Sequence, residues 1–301
     1  MELRFALVGV AAIQAATPFA LAGPPPAAPV QERLLEAPDV MPDATASGGL
    51  DSAPASAEDD LPLPPVPPRI AEGAPYEACM AMLANDPSGA DAAAASMAAG
   101  AGGTPGAGEA AAHCHALAQV ELGNTEAGAT LLDRLASSSH APPEQRAEVF
   151  GQASQAWTMA GRIGQAFASA DQAVTLSPDD PDLRIGRAIA ALAQHRFAEA
   201  ADDLTRVLDG DPKRTDALVL RATANRNLGR LAQAAADVDA AAAQDADNPD
   251  ALLERGIVRQ RTGDLAGARA DWERTADLGA NTPTGDLAQQ NLALLQAGPP
   301  Q

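Results

Sequence analysis

Arg187, Arg221 and Arg255 stand 34 residues apart, and Asp203, Asp237 and Asp271 keep the same step beside them. A fixed period of that size accommodates two short helices and their turns. Such a unit cannot bury its apolar face alone, so the period dictates a stack of like units with a continuous core between neighbours. Each arginine lies 8 residues before a turn position and each aspartate 8 after it, as 187, 195 and 203 show. In an antiparallel helix pair, residues equidistant from the turn sit at one height. Arg187 is therefore expected to meet Asp203, Arg221 to meet Asp237, and Arg255 to meet Asp271. Between 147 and 180 the two positions are Ala153 and Ser169, so both charges disappear together.

Other positions keep the same register. Gly161, Gly229 and Gly263 mark the turns, with His195 in the remaining place. Ala166, Ala200, Ala234 and Ala268 follow, then Ala173, Val207, Ala241 and Thr275. Ser154, Ala188, Ala222 and Gly256 put a small residue in each first helix, and Pro178 and Pro212 close their units. Small residues let helix backbones approach, while Leu204, Val238 and Trp272 fill the gaps between units. This pattern resembles the tetratricopeptide repeat family. The resemblance implies an all-α, right-handed solenoid of antiparallel helix pairs. Its four repeats are placed at 147–180, 181–214, 215–248 and 249–282. Ala246 replaces the closing proline and Thr275 the last small apolar residue, which makes the fourth unit the loosest.

Residues 73–142 are read as degenerate hairpins. One runs from 113–122 through Gly123-Asn124 to 126–135; another spans 75–99 and breaks at 85–89, with a flexible glycine-rich connection at 100–108. Residues 283–297 are expected to form a capping helix, with Thr284 as its N-cap and Leu287, Leu292 and Leu295 facing inward. Residues 23–72 are rich in Pro and Ala and almost free of aromatics, so they are read as a disordered spacer with polyproline II character. Residues 1–22 read as a signal peptide: Arg4, an apolar run at 5–16, and Ala20-Leu21-Ala22 as the cleavage site. Leu21-Ala22-Gly23 also resembles a bacterial lipoprotein signal, but Pro24 stands where that signal needs cysteine. The expectation is a periplasmic or secreted chain starting at Gly23, without a stable membrane anchor after cleavage.

Composition narrows the function. A net charge of −20 argues against holding nucleic acid, since phosphates would meet no excess of cations. Aromatics make up 3% while hydrophobic residues reach 46%, so the apolar content is mostly alanine and leucine and suits packed helices. No nucleophile elbow, phosphate loop or zinc-protease motif is present, so no catalytic residue and no cofactor is assigned. His113-Cys114-His115 does not make a metal site, because adjacent helical residues point in divergent directions. Cys79 and Cys114, the two cysteines, lie about one repeat apart and are expected to form a disulfide in an exported chain.

In the family that the pattern resembles, first helices line a concave groove. The matching positions are Gln155, Thr158 and Met159; Ile185, Ile189 and Leu192; Val219, Thr223, Arg226 and Asn227; and Leu253, Ile257, Gln260 and Arg261. They suggest an apolar floor that holds a helix or extended peptide, with Arg226 and Arg261 gripping an acidic or carboxylate group of the partner. The expected role is a non-enzymatic periplasmic scaffold for a protein or peptide. The alternative is an envelope subunit binding peptidoglycan or another carbohydrate. That role would want exposed aromatic platforms, and Trp157 and Trp272 both fall at packing positions.

Overall fold

The computed structural model describes residues 69–102 and 106–297, which form thirteen helices and no strand. The leader expected at 1–22 and the part of the expected spacer up to residue 68 lie outside the described residues. Six hairpins follow one another: α1 (Ala74–Met82) with α2 (Pro87–Gly100), α3 (Ala107–Glu121) with α4 (Thr125–Ser138), and α5 (Pro143–Met159) with α6 (Ile163–Leu176). Then come α7 (Pro181–Ala193) with α8 (Phe197–Gly210), α9 (Thr215–Asn227) with α10 (Leu231–Gln244), and α11 (Pro249–Thr262) with α12 (Leu265–Leu278). A final helix, α13 (Pro283–Ala297), packs on α11 and α12. Each helix packs on the next, and the first helices of successive hairpins also touch, as α5 with α7 and α9 with α11 do.

The turn chemistry explains the hairpins. At the third turn the Arg162 N–H reaches the Trp157 carbonyl at 2.8 Å and the Gly161 N–H reaches Thr158 at 3.0 Å. The same two bonds recur at Gly123, His195, Gly229 and Gly263. This is the Schellman closure, and it needs a left-handed residue. Gly161, Gly229 and Gly263 supply φ of 70°, 76° and 94°; His195 adopts φ 59° despite its side chain. Helix starts are equally local. Asp180 accepts from the N–H groups of Asp182 and Leu183 ahead of Pro181, and Asn248 accepts from Ala251 ahead of Pro249. At α13 the cap is Thr282, whose Oγ1 accepts from the Gly285 N–H at 3.2 Å. Thr284, expected in that role, instead donates to Asp250 Oδ1 at 2.9 Å and ties α13 to α11.

The core is built from small side chains held close. Ala166, Ala200, Ala234 and Ala268 all have zero exposure. Thr275 is fully buried too, and satisfies its hydroxyl on the Asp271 carbonyl at 2.8 Å. Gly256 shows the limit of this packing. A Cβ there would sit 2.3 Å from the indole nitrogen of Trp272, whereas Ser154, Ala188 and Ala222 occupy the matching positions. Trp272 is wholly buried and donates to the Leu253 carbonyl at 3.2 Å, so the bulkiest filler faces the residue without a side chain.

Candidate functional site: the first-helix face

The arginines and aspartates fix the height at which each hairpin closes. Arg187 donates Nε to Asp203 Oδ2 at 2.8 Å and Nη2 to Oδ1 at 2.7 Å. Arg221 grips Asp237 with the same fork at 3.0 and 2.7 Å, and Arg255 grips Asp271 likewise. The three aspartates are buried, and each receives a further donor: Arg184 at 3.1 Å, Asn225 at 3.4 Å and Arg259 at 2.7 Å respectively. Hydrogen bonding to Asp203 and Asp271 raises the pKa of Arg187 and Arg255 further, against the effect of burial. The arginines also reach backwards. Arg187 Nη1 bonds Asp171 of the preceding hairpin at 2.9 Å, and Arg221 Nη1 meets Thr205 at 3.4 Å. In hairpin α5–α6, where the pair is absent, Asp133 of the preceding hairpin takes over. It accepts from Ser169 Oγ at 2.7 Å and from Trp157 Nε1 at 2.6 Å.

The N-terminal hairpins are fastened differently. Cys79 on α1 and Cys114 on α3 are joined, with Cα atoms 6.3 Å apart. Beside them His113 is sealed. Its Nδ1 accepts from the Tyr76 hydroxyl at 2.5 Å, and its Nε2–H donates to Gln152 Oε1 at 2.6 Å, so one neutral tautomer satisfies both bonds. Burial pushes the His113 pKa down to about 4. His115, two residues on, turns to Asp91 instead, with Nδ1 2.5 Å from Oδ1. Neither Tyr76 nor Gln152 stands out in the sequence, because no repeat register relates them.

The expected groove is narrower than its residue pattern suggests. Ile185, Leu192, Val219, Thr223, Arg226, Leu253 and Ile257 are buried, Leu253 and Ile257 in a cluster with Ala268 and Trp272 of their own hairpin and Ala288 of α13. They form packing rather than a floor. Arg226 is also committed. Its guanidinium holds Glu254 of α11 through Nε at 2.5 Å and Nη2 at 3.3 Å, with 7% of the residue exposed. It therefore cannot grip a partner's carboxylate. Arg261 is exposed and donates Nη1 to the Arg226 carbonyl at 2.9 Å.

What stays accessible is one row near the turns, with Met159, Asn227 and Arg261 exposed and Ala193 half-buried, one per first helix and each 34 residues from the next. Met159 is 53% exposed. Beside this row Gln155 and Gln260 are exposed, and Thr158 and Ile189 are half-buried. Deeper on α7 a Cβ at Gly186 would meet nothing within 4 Å, so space is open beside that residue. Glu148 lies half-buried on α5, with a pKa pushed up to about 7 by burial first and by Asp180 and Asp182 second. The face thus runs from an open, mixed surface at α5–α7 to a closed, ion-paired one at α9–α11.

Comparison with known proteins agrees with this architecture. Residues 185–249 and 221–286 match the family model described as tetratricopeptide repeat. Among solved structures, MamA (residues 41 to the end) from Desulfovibrio magneticus RS-1 is similar at 17% identity and a TM-score of 0.50, covering 56% of this chain and 94% of that one. TTC0263 of Thermus thermophilus, a thermophilic TPR protein, is similar at 18% identity and a TM-score of 0.50, covering 63% and 99%. No curated protein matches the sequence. The recurring turn, the buried alanines and the family match agree: the hairpins of residues 185–286 are tetratricopeptide repeats.

Proposed function

We propose that this protein is a non-enzymatic scaffold of the bacterial periplasm that holds a protein or peptide segment along the open row of its first helices. The observation that carries the reading is Met159 at 53% exposure on α5, with Ile189 half-buried and space open at Gly186 on the next first helix, α7. A flexible thioether on a mixed polar and apolar strip adapts to a partner's side chains. Arg261, exposed at the far end of the row, is the cation that would meet an acidic group of that partner. The carbohydrate-binding alternative has lost its platforms, because Trp157 and Trp272, the two tryptophans, are both buried. The leader pattern before Gly23 supports the compartment, and N-terminal sequencing of protein from the native host should begin there.

The groove is tested with a photo-crosslinking residue placed at Met159 and, separately, at Glu273 on the exposed side of α12. In envelope extracts the Met159 position should give a defined adduct that disappears in an Ile189→Asp background. The Glu273 position should give none. Equal adducts from both positions would overturn the reading.

A further inference from the structure

A cavity of about 560 Å³ opens at the other edge of the stack, between the loop leading into α7 and the loop following α8. It is separate from the first-helix row, and its floor carries an anomaly. The positions 34 residues away from Arg184 are Phe150 and Leu218, followed by Leu252, and all three are buried. Arg184 is buried as well, with 8% exposure, so a guanidinium occupies a place that the other repeats fill with hydrocarbon. A buried charge is costly unless it is paired and its remaining donors are satisfied. Asp203 alone does not account for it, because the Arg187 fork already holds that carboxylate at 2.7 and 2.8 Å.

Arg184 gives Nη1 to Asp203 at 3.1 Å, and its remaining N–H groups meet no acceptor among the described residues. The unpartnered Nε and Nη2 are not sealed from solvent, and Arg184 lines the cavity. The rim has the opposite character. Asp179, Asp209 and Asp211 line it and are exposed, with Arg206 among them. Arg214 is occupied by Asp182 at 2.5 Å and Asp216 at 2.9 Å. Three carboxylates on the rim disfavour a multiply charged anion. A cationic floor under an acidic rim suits a ligand with one charge of each sign. The volume lies in the range of small-molecule sites.

We propose that this cavity binds a small zwitterion, a free α-amino acid or a short peptide. Its carboxylate lies on Arg184 and its ammonium among Asp179 and Asp209. The test is calorimetric titration of the full chain with alanine, with trialanine, and with trialanine blocked by N-acetylation or C-amidation. One or both free zwitterions should bind saturably, and which one binds identifies the source. Each blocked tripeptide should bind at least about ten-fold more weakly than the free tripeptide. Arg184→Leu restores the residue found at two matching positions, so it should fold and should abolish binding. Asp209→Asn, at an exposed position, should weaken the free ligand while leaving any residual binding of the acetylated form unchanged, which tests the site even if Arg184→Leu misfolds. Absence of saturable binding at millimolar concentration, equal binding of the blocked forms, or unchanged binding by a folded Arg184→Leu protein would overturn the proposal.

Discussion

The first two hairpins and the last three solve one problem by different means. From α7 to α12 the fastening is periodic. Each hairpin carries an Arg–Asp fork at one height, and the turn that sets the height is chemically repeated. Between α1 and α5 it is singular: one disulfide, one histidine relay and one aspartate that serves the next hairpin. A periodic joint spreads stability along the array, whereas a singular one concentrates it. The helices say why. α1 has nine residues, and α2 buries Ala90 and Ala94 as its core contribution, so the terminal hairpin has little apolar surface with which to hold its place.

That contrast is broken most directly at the disulfide. Closing a loop of 35 residues stabilises by about 4 kcal/mol in the chain-entropy account. Replacing both cysteines by alanine should raise hydrogen exchange throughout α1 and α2, while α7 to α12 stay protected. Uniform loosening of the whole array would show that the two regions do not differ.

The histidine relay comes next, and its signature is pH. In the unfolded chain His113 takes a proton near its ordinary 6.5, but in the folded protein only near 4. As pH falls through that window the unfolded state binds more protons, so stability is lost, by roughly 3 kcal/mol in full. Glu148 works in the opposite sense. Its folded-state pKa of about 7 exceeds the ordinary 4.5, so its contribution is present at low pH and is lost as pH rises through 7. Urea midpoints in a Glu148→Gln background should therefore fall between pH 6.5 and 4, and adding His113→Gln should flatten the curve. A flat curve before that second change would remove the relay from the account.

Within the periodic half, a double-mutant cycle on Arg221 and Asp237 should show each single alanine costing about 1–3 kcal/mol, with the double mutant less destabilised than the sum. Additive losses would mean that the fork adds nothing beyond its separate halves. The smallest effect concerns His195. Its left-handed backbone costs about 1 kcal/mol; glycine relieves that cost, and the greater freedom it gives the unfolded chain offsets part of the gain. His195→Gly should raise the melting temperature slightly, whereas Gly229→His should lower it.

Legibility in the sequence follows the same division. The turns and the forks could be read in advance because both depend on the 34-residue step. Contacts off that step could not. Ser169 reaches Asp133 across 36 residues, Arg226 reaches Glu254 across 28, and His113 reaches Gln152 across 39. The groove was overdrawn for a related reason. Helical periodicity shows which residues share a helix face, but not how closely neighbouring helices approach. Val219, Thr223 and Ile257 end up buried, Ile257 in a cluster with Trp272 of its own hairpin and Ala288 of α13. Arg184 is an arginine in a column of phenylalanine and leucine that the repeat pattern alone did not single out, and only its burial gives the misfit meaning.

Arg187 carries one more consequence, because it holds Asp203 ahead of it and Asp171 behind it, each 16 residues away. A residue tethered symmetrically in both directions makes the joint self-complementary. Genetic duplication or excision of one whole unit among those that carry the fork would deliver each surviving arginine to an aspartate at the same spacing. The array can thus change length without breaking a fork wherever the change spares the α9–α11 joint, at which Arg226 holds Glu254, and its reach becomes a property that recombination can adjust in a single event.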